Sequence, residues 1–161
     1  GLGETALRLC QARGLTLSAA ESCTGGLIAK RLTDIPGASQ TFLGGVVSYT
    51  NAVKQHVLGV PASLLETYGA VSAPVARGMA MGVRILTGSD LALSVTGLAG
   101  PAGDDRGSPV GTVFTALSTP QGVFVRQLAL GGDRERIRTL STHHALDLLR
   151  RYLTDQMTGG E

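Results

Sequence analysis

Aromatic residues are scarce in this chain and Trp is absent, which limits how its core is built. Phe, Trp and Tyr make up 4% of the 161 residues, whereas apolar residues of all kinds reach 43% and glycine occurs 23 times. Such a core is built mainly from Ala, Val and Leu, with close approaches between backbones. This composition favours a tightly layered α/β domain over a disordered chain. We expect one domain over residues 1–161, because this length suffices for a single core.

Excess charge and long apolar runs are also missing, and there are only two cysteines. The net charge is only +2 and there is no dense basic stripe, so no nucleic acid is expected as a partner. Cys10 and Cys23 are expected to be reduced thiols of an intracellular protein and not to form a disulfide with each other. No apolar run is long enough to span a membrane and no signal-peptide pattern opens the chain. We therefore expect no membrane partner, with the cytoplasm as the default location.

Metal-ligand spacings are absent as well. There is no His-x-x-x-His or Cys-x-x-Cys pattern, and Asp104 and Asp105 lie in a glycine-rich loop with no third ligand nearby in sequence. Residues 97–100 are too generic for a dinucleotide fingerprint, because Pro101 and Gly103 follow at once. The sequence therefore predicts neither a metal nor a cofactor.

Apolar periodicity and turn signals predict helices that alternate with strands. The predicted helices are 4–13, 24–32, 51–58, 61–68, 74–86 and 133–152, and the predicted strands are 15–20, 42–49, 90–96, 110–118 and 123–130. Asn51 is the predicted cap of the third helix. Gly44 and Gly45 inside the second strand indicate a bulge or a close backbone approach. The pattern, with its C-terminal hairpin, predicts a three-layer α/β/α sandwich with a mixed, mostly parallel sheet.

The run Glu-Ser-Cys-Thr-Gly-Gly at 21–26 places a hydroxyl nucleophile, Ser22, between a strand and a helix. Backbone N–H groups at the start of that helix would suit a phosphate or an oxyanion. These residues alone leave open that Ser22 or Thr24 only caps the helix. Ser22, Tyr49 and Thr96 each follow or end a predicted strand. Because ligands bind beyond the carboxyl ends of strands in such sheets, we expect these three residues in one pocket.

Motifs spread along the chain resemble the CinA C-terminal domain family. They are Glu-Ser-Cys-Thr-Gly-Gly-Leu at 21–27, Ser-Tyr-Thr-Asn at 48–51 with Lys54, Leu-Gly-Val at 58–60, Tyr-Gly-Ala-Val-Ser at 68–72, Val-Thr-Gly at 95–97 through Gly-Pro at 100–101, Pro-Val-Gly-Thr-Val at 109–113, and Gly-Asp-Arg-Glu at 132–135 with Arg138. They occur in order and cover nearly the whole chain. The stand-alone form of this domain is nicotinamide mononucleotide deamidase, PncC. The loop 102–108 departs from the family pattern, so its substrate contacts are not carried over.

The resemblance implies a Ser/Lys hydrolase that needs no cofactor. Ser22 is then the nucleophile, Lys54 the base, and Thr96 a third catalytic residue that orients the pair through its hydroxyl group. From the residues alone, Lys54 would be a solvated surface lysine. A base role requires desolvation or a positive field, such as a helix start, to bring its pKa to about 7–8. The resemblance also puts the nucleophile on Ser22 rather than on Cys23, which is expected to be a buried thiol.

Further residues are expected to bind the substrate: Thr24, Gly25, Gly26, Tyr49, Asn51, Gly97, Arg134 and Arg138. Amides in the turn after Ser22 or near Gly97 would hold the oxyanion. Tyr49 either packs against the nicotinamide ring or belongs to the core. Arg134 and Arg138, one helical turn apart, either grip the substrate phosphate together or pair with neighbouring carboxylates.

The implied reaction is hydrolytic deamidation of nicotinamide mononucleotide to nicotinic acid mononucleotide and ammonia. The alternative is a non-catalytic nucleotide-sensing or assembly domain of a larger competence- or damage-linked protein. The joint presence of Ser22, Lys54 and Thr96 favours the enzyme. The expected partners are the nucleotide substrate, further copies of the chain in a homo-oligomer, and an N-terminal domain if the chain is part of a longer parent protein.

Overall fold

The computed structural model describes residues 1–157, so the last four residues of the expected domain lie outside the described part. The helices are α1 Leu2–Ala12, α2 Leu27–Thr33, α3 Asn51–His56, α4 Ala62–Tyr68, α5 Ala73–Thr87 and α6 Arg134–Leu153, with a short 3-10 helix at Ala38–Gln40. The strands are β1 Leu17–Glu21, β2 Phe42–Val47, β3 Leu91–Gly97, β4 Thr112–Thr119 and β5 Gly122–Ala129. Each predicted element has a counterpart, with ends that differ by a few residues.

The strands form one mixed sheet in the order β2-β1-β3-β4-β5. β1 pairs in parallel with both β2 and β3, whereas β3 with β4 and β4 with β5 pair antiparallel. Only β4 therefore runs against the other four strands. The predicted mixed, mostly parallel sheet is confirmed, and β1 lies between two parallel neighbours where its carboxyl end is flanked by theirs.

Helices cover both faces of the sheet, which gives the predicted three layers. On one face, α6 buries Ile137, Ala145 and Leu149 together with residues of α1, α2 and the sheet. On the other face, α5 buries Val75, Met79 and Val83 against the sheet and the segment that follows α3. Each fully buried Ile, Leu, Val or Met side chain among them stabilises the fold by about 1.5–3 kcal/mol. No helix within residues 1–157 combines the length and apolarity that a membrane crossing needs.

The sequence predicts a bulge or a close backbone approach at the glycine pair in β2, and the strand has both features. The register of β1 against β2 shifts between Leu17 and Ser18, so that Leu43 is an additional residue in β2. A Cβ atom at Gly45 would lie 2.9 Å from the carbonyl oxygen of Ala19. A side chain at this position would therefore push β2 away from β1.

Two helix starts differ from the prediction. The second helix begins at Leu27 rather than at residue 24, because Gly25 and Gly26 have φ values of 62° and 104° and keep the preceding residues in a turn. The third helix is capped by Thr50, whose Oγ1 accepts from the amide of Val53 at 3.4 Å, and not by Asn51. Both corrections concern the segments that carry the candidate site.

Candidate active site

The carboxyl ends of the three parallel strands border a cavity of about 290 Å³. Its wall includes six of the residues singled out in the sequence: Ser22, Tyr49, Asn51, Lys54, Gly97 and Arg134. The loops around Ala70 and from Leu98 to Ala102 complete the wall, and sequence reasoning assigned them no role. The topology therefore brings residues from both ends of the chain to one site.

Ser22 and Lys54 are in direct contact. The Nζ atom of Lys54 donates to Ser22 Oγ at 2.9 Å and to the main-chain carbonyl of Ser48 at 2.7 Å. Lys54 is only 1% exposed and Ser22 is 8% exposed. Ser48, to which the sequence analysis gave no role, thus holds the amine in place beside the hydroxyl group.

Burial lowers the pKa of the Lys54 amine from 10.5 to about 8, with a smaller opposing influence from Cys23. No carboxylate within residues 1–157 forms an ion pair with this lysine. Desolvation, rather than the start of α3, is thus the main cause of the low pKa. A substantial fraction of the amine is neutral near pH 8 and can accept a proton from Ser22.

Ser22 does not cap a helix. The residue before α2 is Gly26, and it makes no side-chain capping bond. The Ser22 hydroxyl instead meets Lys54, and the Ser22 amide donates to the carbonyl of Val95 at 2.9 Å. The capping interpretation of Ser22 is therefore wrong. Its own amide is also not free to hold an oxyanion.

The start of α2 binds a carboxylate of the protein itself. Glu21, only 1% exposed, accepts from the amide of Ile28 at 2.8 Å and from the Thr24 hydroxyl at 2.7 Å through Oε1, and from the amide of Ala29 at 3.1 Å through Oε2. The expectation that these amides face a substrate phosphate is wrong, because an internal anion already binds there. An acidic residue just before the glycine turn was the available signal for this role.

Four predicted substrate-binding residues lie outside the cavity that Ser22 borders. Thr24, Gly25, Gly26 and Arg138 line a separate cavity of about 390 Å³ on the other side of the turn. The Thr24 side chain is fully buried and bound to Glu21. The Thr24 side chain is therefore not available to a substrate in the cavity of Ser22, where the sequence predicts that Thr24 binds it.

The two arginines of α6 that the sequence singles out, Arg134 and Arg138, bind different loops. Arg134 donates to the carbonyl of Gly100 at 2.8 Å and to the Tyr49 hydroxyl at 3.0 Å. Arg138 donates to the carbonyls of Cys23 at 2.9 Å and Thr24 at 3.3 Å. The prediction of a joint phosphate grip is wrong, since the two side chains border separate cavities. Arg138 instead satisfies carbonyl groups of the turn that carries Ser22.

Thr96 and Tyr49 differ in how they relate to the cavity. The Thr96 hydroxyl donates to the carbonyl of Ala70 at 2.8 Å, and the residue is 1% exposed. The expected hydrogen bond from Thr96 to the Ser22–Lys54 pair is therefore wrong; its hydroxyl fixes the Ala70 loop instead. Tyr49 is 58% exposed, which excludes the core interpretation of this residue.

The neighbouring thiol is a poor nucleophile in this setting. Burial raises the pKa of Cys23 to about 11 and that of Cys10 to about 12, and both cysteines are free. The thiolate, not the thiol, is the reactive form, so Cys23 is protonated and unreactive near neutral pH. Within residues 1–157, no group of three or more His, Cys, Asp or Glu side chains is arranged to hold a metal ion.

Comparisons with known proteins agree with this architecture. A model of the CinA C-terminal domain matches residues 1–153. A CinA-like protein from Desulfotalea psychrophila is 57% identical over 141 residues, which cover 88% of this chain and 34% of that protein. The crystal structure of a competence-damaged protein (CinA) superfamily protein from Klebsiella pneumoniae has a TM-score of 0.93 at 32% identity and covers 96% of both chains. The competence/damage inducible protein CihA from Agrobacterium tumefaciens reaches 40% identity with a TM-score of 0.88, covering 95% of both chains.

The matched region contains every residue of the site described above. The chain spans about a third of the length of the curated relatives it matches, as the 34% coverage of the Desulfotalea protein illustrates. The similarity thus concerns one part of those longer proteins. On the evidence of the family match and of these relatives, the chain belongs to the CinA C-terminal domain family.

Proposed function

We propose that this domain hydrolyses the carboxamide of nicotinamide mononucleotide to give nicotinic acid mononucleotide and ammonia. The observation that carries the proposal is the contact of 2.9 Å between the Ser22 hydroxyl and a buried Lys54 amine of lowered pKa, at the wall of an open cavity. A hydroxyl nucleophile beside a base that is neutral near working pH is the requirement for covalent acyl transfer.

In the first half of the reaction, neutral Lys54 takes the proton of Ser22 as Oγ attacks the carboxamide carbon. The amide of Cys23, which directly follows the nucleophile and lines the same cavity, is the proposed donor to the oxyanion. Lys54 then gives its proton to the nitrogen of the tetrahedral intermediate. The C–N bond breaks, ammonia leaves, and an ester remains on Ser22.

In the second half, water replaces ammonia beside the ester. Lys54 takes a proton from the water as its oxygen attacks the carbonyl carbon, and the bond to Ser22 Oγ breaks. Lys54 returns the proton to Ser22, and nicotinic acid mononucleotide leaves. One amine thus serves as base and acid in each half-reaction, which requires a pKa near the operating pH.

The alternative, a domain that only senses or assembles around a nucleotide, does not account for Lys54. The pKa of the Lys54 amine is about 8 in the folded chain and 10.5 in the unfolded one. Near neutral pH this difference lowers the free energy of unfolding by about 3 kcal/mol. A binding function does not require this amine to contact a serine hydroxyl group, nor to lack a carboxylate partner within residues 1–157. Catalysis uses this lysine directly.

Ammonia release is the direct test of the proposal. With nicotinamide mononucleotide as substrate, we expect equal amounts of ammonia and nicotinic acid mononucleotide, and the same rate after exhaustive EDTA treatment. No step of the proposed reaction uses a metal ion. A folded protein that binds the nucleotide without releasing ammonia would support the sensing alternative. Activity that EDTA removes and a divalent ion restores would reveal a metal in the mechanism.

Arg134 is the proposed contact for the substrate phosphate, because it lines the cavity of Ser22 and is exposed there. Arg134→Ala should lower kcat/KM for the mononucleotide by about 10- to 100-fold, the usual effect of losing a charge-assisted contact. Activity on nicotinamide riboside, which lacks the phosphate, should change much less.

Arg138→Ala provides the matched control for Arg134→Ala. Because Arg138 binds the carbonyls of Cys23 and Thr24, its loss should affect the nucleotide and the nucleoside equally. Equal losses on the two substrates for Arg134→Ala would mean that Arg134 only holds the loops together. Steady-state kinetics with both substrates on both variants decides between these roles.

A further inference from the structure

Glu21 directly precedes Ser22 in the chain, and its main-chain carbonyl is connected to Lys54 by hydrogen bonds that pass through Ser48. We infer that Glu21 is a positioning residue: its carboxylate fixes the turn that carries Ser22, and its main-chain carbonyl fixes the strand end that holds Lys54. The inference rests on the proposed function, because a positioned pair matters only if the pair reacts. Glu21 does not touch the substrate cavity, so its role is indirect.

The carboxylate acts on the Ser22 side. Its three hydrogen bonds reach the Thr24 hydroxyl and the amides of Ile28 and Ala29, so it ties both the turn and the first residues of α2 to the end of β1. Ser22 lies between Glu21 and this turn in sequence. Hydrogen bonds to a charged acceptor are shorter and stronger than neutral ones, and this carboxylate is almost fully buried. Its loss would free the backbone on the C-terminal side of Ser22.

The main-chain carbonyl acts on the Lys54 side. It accepts from the Ser48 amide at 2.7 Å and from the Ser48 hydroxyl at 3.2 Å. The carbonyl of Ser48 in turn accepts from Lys54 Nζ at 2.7 Å. A shift of Glu21 is therefore passed to the amine through one intervening residue. A misplacement of about 1 Å in such a constellation can cost about 100-fold in rate.

A second carboxylate provides the control. At the opposite end of the same strands, Asp90 accepts from the Thr16 amide at 2.9 Å and from its hydroxyl at 3.0 Å. This partly buried carboxylate also ties two segments together, but it does not line the cavity of Ser22. Asp90→Asn thus measures how the loss of a structural carboxylate away from Ser22 and Lys54 changes Tm and kcat.

The test compares Glu21→Gln with Asp90→Asn in ammonia release from nicotinamide mononucleotide and in thermal unfolding. Gln keeps the size of Glu but replaces one acceptor oxygen by a donor, which cannot accept from an amide of α2. We expect kcat of Glu21→Gln to fall by about 10- to 100-fold with KM changed by less than about threefold. Asp90→Asn should lower Tm without lowering kcat. Unchanged kcat in Glu21→Gln, or equal losses of kcat in both variants, would overturn the inference.

A second variant and a second readout keep the inference testable. If Glu21→Gln does not fold, Thr24→Val removes a single hydrogen bond to the same carboxylate and should lower kcat several-fold at unchanged KM. Failure of the proposed function is recognised separately, because the wild type then releases no ammonia. In that case the rate at which a fluorophosphonate labels Ser22 is measured instead. This rate depends on the position of Lys54 beside the Ser22 hydroxyl group and needs no substrate. Labelling at least about tenfold slower in Glu21→Gln supports the inference, and equal rates overturn it.

Discussion

Replacing Ser22 with alanine is expected to lower ammonia release from nicotinamide mononucleotide by about four to six orders of magnitude. Removal of the nucleophile eliminates the covalent path, and only binding and oxyanion stabilisation remain. The Lys54 amine would keep its hydrogen bond to the Ser48 carbonyl but would have no hydroxyl group to deprotonate. Product formation under initial-rate conditions, with the variant purified separately from active enzyme, measures this loss.

The stability of Ser22→Ala separates a catalytic role from a structural one. Because Ser22 caps no helix, the free energy of unfolding of the variant should lie within about 1 kcal/mol of the wild-type value. Thermal or denaturant unfolding provides this control. Near-normal ammonia release by folded Ser22→Ala would rule out the covalent mechanism.

Lys54→Arg should be as damaging as Lys54→Ala, with a loss of about 100- to 10,000-fold in kcat/KM. General base catalysis typically contributes this factor, and a guanidinium group stays protonated at any usable pH. The chain contains one other lysine, Lys30, whose exposed side chain pairs with Asp34 at 2.7 Å. Lys30→Arg is the matched control and should retain full activity. Substantial activity in Lys54→Arg would mean that only positive charge matters at this position.

The pH dependence of kcat/KM provides a second measurement of the role of Lys54. Burial lowers the pKa of the amine to about 8, and the neutral form is the base. The active fraction therefore grows as pH rises through about 8 and then levels off. Residual activity of Lys54→Ala should lack this rise. A wild-type profile that is flat between about pH 6 and 9 would contradict the assignment of the base to Lys54.

The layered fold could be predicted from the sequence because local signals agreed with tertiary packing. Apolar runs bounded by turn residues indicated each strand, and the hairpin signal between 118 and 123 coincides with the turn that joins β4 and β5. The Gly44-Gly45 pair indicated a bulge or a close backbone approach, and the structure has both. These features depend on residues that are close in sequence or lie on one face of a strand. Sequence patterns predict such features well.

The predictions for the site residues are wrong mainly where a side chain forms hydrogen bonds with backbone groups that are distant in sequence. Spacing puts Arg134 and Arg138 on one face of α6, but it does not reveal that each side chain meets the carbonyls of a different loop. Without the family resemblance, the sequence predicts a solvated surface lysine at position 54, whereas its burial results from the strand ends that meet in the folded chain. Glu21 is a different case, because the amides that it binds are only seven and eight residues away and its position before the glycine turn was an unused signal.

Whether Ser22 is the nucleophile is tested most directly by locating the acyl group on the enzyme during turnover. A reaction with nicotinamide mononucleotide is quenched with acid, and the tryptic peptide 14–30, which holds both Ser22 and Cys23, is sequenced by mass spectrometry. We expect a nicotinic acid mononucleotide ester on Ser22 in the wild type and none in Ser22→Ala. A thioester on Cys23, or product formation by Ser22→Ala at the wild-type rate, would contradict this expectation.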